Sequence, residues 1–377
     1  MIRKTAIAFG LVLSLVIAVV SLDVSASASR HHHPPPTTTT TSTSTTIPPT
    51  TTTTTQPGTS QPGLLPGETT WSSGAPSFDF GTNDTINYGT PNVDTLSSVQ
   101  ADLKGGGLTI LRVWAYGSDS DATILQKVAA ATGSGEVCMF MLGQTNDLTW
   151  LEHVVTETEA NCPYYEFGNE PDNGGSPANG SIATYTSQWI ADIPQLRAID
   201  PKAQFGGPVI MWSGSCCQFS GTTYPDDMAY FLGVTAQAGV RADFIDYHDY
   251  PCTAGKQDTE AACLAATPGD FAWNWNNVIP YEQQYYGKVI PTGVSEYNFD
   301  PGDQHLYDWC NDSTFMTQWT TAALDEIVKL RMSFANQFDS LNWGGYGCYD
   351  MFSDAAPYAA KPQFDAITSE IQKYGGP

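Results

Sequence analysis

Positive charge is what this chain has least of. Only 15 of its 377 residues are Lys or Arg, against 39 Asp and Glu, so the formal net charge is −24 although charged residues make up just 14% of the chain. Nucleic acids and anionic membrane surfaces are bound by clustered cations, so a chain this poor in them fits neither partner. Long apolar runs are equally scarce. A single stretch, Ala6 to about Val20, approaches the length needed to span a bilayer. Histidine occurs six times, and three of the six are the consecutive His31, His32 and His33, which read as a polar start to the mature chain rather than as metal ligands. No Cys-x-x-Cys pair has a second pair or a His cluster behind it, which argues against a structural zinc site. No Gly-rich phosphate turn follows the first strand-like run, which argues against a dinucleotide site. Neither metal nor cofactor is expected, and there is no internal repeat.

The N-terminal region is read first. Basic Arg3 and Lys4, the apolar run, and the small residues Ala26, Ser27 and Ala28 form a secretory signal over residues 1–28. The rival reading is an uncleaved anchor that would leave the protein attached to the cell surface. Residues 29–70 are rich in Thr and Pro and offer almost nothing to bury, so they read as a disordered spacer. The folded part is expected over 71–377. Its eight cysteines are even in number and belong to an exported chain, so disulfides are expected. Short closure favours Cys252 with Cys263, neighbouring strands favour Cys138 with Cys162, and Cys310 with Cys348 would tie two loops. Vicinal Cys216 and Cys217 either pair with each other or find partners elsewhere.

Beyond Trp71, eight short apolar or β-branched runs alternate with segments of helical periodicity. The runs lie near Phe78, Leu108, Val137, Tyr164, Phe205, Phe244, Val289 and Leu341. Such alternation calls for parallel strands covered by helices, and eight units over this length match a closed (β/α)8 TIM barrel. An open doubly wound sheet is the alternative.

A barrel places its chemistry at the C-terminal ends of its strands. The fourth run, "PYYEFGNEP", ends at Glu170, and the seventh, "GVSEYN", ends at Glu296. Strand alternation puts Glu166, Gly168 and Glu170 on one face, with Glu170 at the mouth and Glu166 deeper, where Arg112 of the second run is available as a partner. Two carboxylates on opposite walls of one mouth are the minimum equipment for breaking a glycosidic bond: one protonates the leaving oxygen, and the other attacks the anomeric carbon or activates water.

On these motifs the chain resembles the clan A glycoside hydrolases, with "EFGNEPDN" and "VSEYN" most like family 39 and "HDY" also suited to family 5. The resemblance spans roughly Trp71 to Tyr374. It implies a retaining mechanism with Glu170 as acid/base and Glu296 as nucleophile. It further implies that Asn169 meets the substrate 2-hydroxyl, that Arg112 supports the nucleophile, that His248 and Tyr250 form the His-x-Tyr of the sixth strand, and that Trp343 floors the site.

Ten Trp and eighteen Tyr supply apolar faces for sugar rings. Trp114 with Tyr116, Trp212, and Trp273 with Trp275 fall in the expected mouth loops, while Trp150, Trp189 and Trp319 read as core. Asn146, Asn173 and Asn298 are candidate hydroxyl binders. The absence of an Arg/Lys cluster at the mouth points away from uronic or sulfated sugars. The expectation is a secreted monomer acting on a neutral polysaccharide such as a xylan, mannan or glucan, by internal cleavage. An exo-acting xylosidase-like enzyme, an inverting enzyme, a catalytically dead sugar-binding barrel, and a stalked surface-display protein are the alternatives.

Overall fold

The computed structural model describes residues 78–84, 92–173, 181–211, 217–252, 257–300, 309–341, 349–353 and 355–374. The leader, the spacer, Trp212, Cys216, Trp343 and Cys348 lie outside the described residues. Eight parallel strands close into a barrel: β1 (Asp79–Asn83), β2 (Ile110–Ala115), β3 (Val137–Leu142), β4 (Tyr164–Phe167), β5 (Gln204–Ile210), β6 (Phe244–Asp249), β7 (Thr292–Tyr297) and β8 (Phe334–Gln337). Each strand pairs with its sequence neighbours, and β8 closes the ring on β1. The helices are α1 (Ser97–Gly106), α2 (Asp121–Ser134), α3 (Leu148–Thr158), α4 (Ile182–Ile199), α5 (Asp227–Ala238), α6 (Glu260–Tyr281), α7 (Ser313–Lys329) and α8 (Pro362–Tyr374). A two-stranded ribbon, Gln218–Phe219 with Thr222–Thr223, decorates the connection between β5 and α5.

Helices α2 to α7 each start on a side-chain cap. Ser120, Asp147, Ser181, Asp226, Thr259 and Asp312 accept a backbone N–H from the first turn, satisfying donors the helix leaves open. Among the described residues, no helix is long and apolar enough to cross a membrane.

The eighth strand is not where the sequence pattern puts it. Among the described residues, the run near Leu341 contributes an isolated bridge to Phe352, and the barrel is closed by "FANQ" at Phe334–Gln337. That segment follows α7 so closely that its apolar residues merge with the helical pattern.

The barrel interior is layered. Ile110, Tyr164, Phe244 and Phe334, one from each even-numbered strand, pack together with Met139 at the bottom. The facing odd strands make room with glycine: a Cβ on Gly206 would stand 2.0 Å from the Phe244 ring, and one on Gly293 would stand 2.4 Å from the Phe334 carbonyl oxygen. Overpacking of this kind costs about 1–3 kcal/mol. Two residues further along the same even strands come Arg112, Glu166, Asp246 and Asn336, all buried. A polar layer therefore lies on the aromatic one, directly beneath the mouth. Trp189 and Trp319 are fully buried between sheet and helices, and Trp150 packs at the edge of that core, as the sequence implies.

Cys138–Cys162 and Cys252–Cys263 are disulfides, as expected. Cys217 and Cys310 are disulfide-bonded as well.

Candidate active site

The polar layer is organised by one guanidinium. Arg112 Nε donates to Glu166 Oε2, Nη1 donates to Asn83 Oδ1 at 2.9 Å and to Glu296 Oε1 at 2.5 Å, and Nη2 donates to Asn169 Oδ1 at 3.0 Å. Burial works against its charge, but the Glu166 and Glu296 carboxylates outweigh burial and hold its proton more tightly than usual. Tyr250 Oη donates to the other oxygen of Glu296, Oε2, at 2.9 Å. Burial, then Glu296 and Glu170, raise the Tyr250 phenol well above its ordinary range, so it remains a donor. Glu296 is thus held at both oxygens.

How Glu296 comes to point inward is a matter of register. Gly293 faces the interior and Val294 faces the helices, so strict alternation would send Glu296 outward. However, β7 carries one extra residue relative to both neighbours: Val294 pairs with Tyr247 and Glu296 with His248, while on the other side Val294 pairs with Ala335 and Tyr297 with Gln337. The bulge at Ser295 turns the glutamate back into the barrel.

Glu170 also departs from the expected alternation. Strand β4 ends at Phe167, and the chain then passes through left-handed backbone at Gly168 (φ 87°) and Glu170 (φ 45°). This turn brings Asn169 and Glu170 to the centre side by side, whereas a continued strand would have sent them to opposite faces. Left-handed backbone at a glutamate costs on the order of 1–3 kcal/mol; here it is pinned by the Glu170 N–H bond to the Val209 carbonyl at 2.8 Å.

His248 joins the two carboxylates. Its Nδ1 lies 2.8 Å from Glu170 Oε1 and 3.3 Å from Glu296 Oε2, and a carboxylate oxygen from each glutamate lies within 4.8 Å of the other. Burial pushes the imidazole towards neutrality, but the Glu296 charge and the Glu170 hydrogen bond overcome it and raise its pKa. Burial pushes Glu170 up, and the His248 bond, the His248 charge, an Asn173 amide at 3.2 Å and Arg112 together bring it below the usual carboxylate value. Both directions favour a proton on the imidazole side of this pair.

The aromatic candidates separate. Trp114 is 5% exposed, follows Arg112 by two on the inward face of β2, and stacks on the guanidinium at 5.5 Å; its indole N–H has no partner among the described residues. Trp273 is 48% exposed and lies on α6 rather than in a loop, beside Asn274, which donates to Asp249 at the end of β6. Tyr116, just past β2, is 37% exposed. Asn298 does not serve as a hydroxyl binder: its side chain is buried, donating to the Phe338 carbonyl and accepting its neighbour's N–H.

Two residues of the centre are missing from the sequence reading. Asn83 is buried and committed to Arg112 and to the Ser295 carbonyl at 3.1 Å. It ends β1 as Glu296 nears the end of β7, and the strand-end rule could have found it. Asp246 shares the inward face with His248, and period-two alternation in "FIDYHD" would have flagged it.

No family model matches this sequence, and no curated protein does. In three dimensions it is similar to a monomeric β-xylosidase from Caulobacter crescentus CB15, at 16% identity and a TM-score of 0.57 over 78% of this chain and 68% of that one. A GH39 enzyme from Xanthomonas axonopodis pv. citri is similar at 15% identity, 0.58, 79% and 67%. A GH5-4 broad-specificity endoglucanase from an uncultured bacterium is similar at 12% identity, 0.51, 80% and 94%. The shared feature is the (β/α)8 fold, and both families named from the sequence motifs occur among these neighbours.

Proposed function

We propose that this chain is an exported, retaining glycoside hydrolase that cuts internal bonds of a neutral β-linked polysaccharide. The observation that carries the reading is the meeting of Glu170 and Glu296 on His248, with one oxygen of each within 4.8 Å of the other. Retaining carboxyl pairs stand about 5–5.5 Å apart and inverting pairs about 6.5–9.5 Å, the difference being room for a water. The short span favours direct attack.

In the first step a Glu296 oxygen bonds to the anomeric carbon, the glycosidic C–O bond breaks, and the leaving oxygen takes a proton from Glu170. Arg112 and Tyr250 hold the nucleophile at both oxygens and aim it. A proton held by His248 Nδ1 has a 2.8 Å path to Glu170 along which to move as the leaving oxygen gains basicity. In the second step water gives a proton to Glu170 and its oxygen to the anomeric carbon, which frees Glu296. Arg112 occupies Asn169 Oδ1, so the Asn169 amide is left to donate to a sugar hydroxyl, the 2-hydroxyl by the family pattern.

A neutral substrate fits because Arg112 is already committed to Glu166, Glu296, Asn83 and Asn169. Internal cleavage is supported by exposed aromatics in two separate parts of the ring: Tyr116 follows β2, and Trp273 on α6 is next in sequence to Asn274, which bonds the end of β6, four strands around. Trp114, Trp212 and Trp343 are proposed as further sugar contacts. Export rests on the leader, and a monomer suffices because every residue named belongs to one chain. The decisive experiment follows the first-formed anomer by proton NMR on a panel of xylan, mannan and β-glucan, with product sizing. Retention and an early ladder of oligosaccharides are expected. An inverted first product would sink the mechanism, and monosaccharide alone from the first minutes would replace internal cleavage with exo action.

A further inference from the structure

Three carboxylates and one cation share the buried layer under the mouth. Glu166, Glu296 and Asp246 are all within electrostatic reach of Arg112, and the guanidinium bonds only the first two. Asp246 is fully buried, accepts one weak backbone N–H from Val209 at 3.3 Å, and leaves Oδ2 without a partner; Glu166, equally buried, leaves Oε1 without one. The two residues occupy the same layer on β4 and β6. The strand between them, β5, presents Gly206 opposite Glu166 and Pro208 opposite Asp246, and the two carboxyl groups lie within side-chain hydrogen-bonding reach of each other.

Two unsatisfied acceptors side by side in a dry interior are costly, and a proton placed between them removes both penalties at once. We propose that Asp246 is a neutral carboxylic acid that donates its proton to Glu166, and that it is a positioning residue for Glu296 acting through Glu166 and Arg112. The groups facing it are Glu166 on β4, Arg112 on β2, the Val209 N–H on β5 and the Tyr185 phenol on α4. The Tyr185 hydroxyl approaches at Gly207, where a Cβ would be only 2.3 Å away. Burial and the neighbouring Glu166 hold Asp246 far above the carboxylate range, in keeping with the charge count. An ionised Asp246 would compete for the guanidinium and loosen its hold on Glu296. A protonated one instead fixes Glu166, and through it the fork of Arg112.

This rests on the glycosidase reading for its kinetic arm only. The first measurement is the infrared spectrum at pH 7 in heavy water, comparing the unaltered protein with Asp246→Asn. The difference spectrum should show one protonated-carboxyl C=O component lost in the variant, over the bands of other buried acids such as Glu282, whatever the activity. The second is kinetics with folding checked by thermal unfolding. Asp246→Asn, whose amide still donates, should keep kcat within about threefold; Asp246→Ala should lose at least tenfold in kcat with KM little changed. Should Asp246→Ala fail to fold, Asp246→Ser, which keeps only a shorter donor, takes its place with an intermediate loss. An unchanged infrared band, or Asp246→Asn as damaged as Asp246→Ala, would overturn the proposal. A protein inactive on every glycoside but with the band lost in Asp246→Asn would reject the proposed function and leave the protonation intact.

Discussion

Replacing His248 with Gln should move the alkaline side of the pH profile and leave the acid side in place. In the intact site Glu170 and His248 titrate as a pair, and the reaction needs one proton on that pair together with an ionised nucleophile. Because His248 is raised, by the Glu296 charge and the Glu170 bond against its burial, that proton is kept beyond the ordinary imidazole value of about 6.5. Because Glu170 is lowered, a second proton arrives only below the ordinary carboxylate range. Activity should therefore extend from moderately acid pH to above neutrality.

A Gln at 248 can still donate an amide N–H but carries no proton. Glu170 must then hold the proton itself. It also loses a charged hydrogen bond of the kind worth about 1.5–3 kcal/mol, and a cation that favoured its ionised form. The alkaline limb of kcat/KM falls back towards the carboxylate range, a move of about two pH units, and each unit between limb and assay costs about tenfold. Initial rates on an aryl glycoside at pH 5 should drop by less than about fivefold, and those at pH 7 or above by roughly 10- to 100-fold. A uniform loss at every pH, with the limb unmoved, would refute the proton-sharing account and leave His248 a spacer.

Glu296→Ala should lose turnover on every substrate, whereas Glu170→Ala should keep some on substrates with very acidic leaving groups; equal losses on both kinds would undo the assignment of roles. Thiol counting on the denatured, non-reduced protein should find no more than two free thiols, in line with the bonded state of Cys138, Cys162, Cys217, Cys252, Cys263 and Cys310, and a larger number would reject the disulfide framework. Glu282 is buried beside β7 and pushed by burial to about 8, against the Thr292 hydroxyl and the Ile290 N–H. A raised acid keeps its proton in the native state where the unfolded chain has lost it, so this contribution is full below about 4.5 and fades as pH rises towards about 8. Glu282→Gln should remove on the order of 4 kcal/mol of that decline, read from urea midpoints between pH 5 and 8; an identical decline in the variant would contradict it.

Seven of the eight strands were legible because Gly, Pro or Asn punctuates the chain around them and β-branched or aromatic residues fill them. The eighth was not. Helix α7 ends at Lys329 and the chain turns at Arg331 with φ 64°, a left-handed position usually taken by Gly or Asn. With an arginine there, "VKLRMSFANQ" reads as unbroken helix, and strand status passes to the next aromatic run. The misplacement cost nothing at the two glutamates, since β4 and β7 were placed independently. It did hide the fact that Asn336, not a residue near Leu341, completes the polar layer.

The two carboxylates show where such reading stops. Period-two alternation identifies which residues near a strand end are eligible for the mouth, but it names the wrong face for Glu296, and for Glu170 it names the right destination by the wrong route. In each case one local device re-aims the side chain: an extra residue at Ser295, and a left-handed turn at Gly168 and Glu170. Neither leaves a mark in composition or hydropathy, because a bulge is a property of two strands in register. Both carry a cost in lost ladder bonds or backbone strain that the fold alone does not require. They recover it only together with Arg112, whose fork reaches Glu296 and Asn169 when both segments are bent inward. Deleting Ser295 would place Glu296 directly after Val294, on the inward face by plain alternation, so the deletion should give an unbulged β7 that keeps the Arg112–Glu296 contact, and a crystal structure of it with Glu296 turned towards the helices would show that Ser295 is not the extra residue.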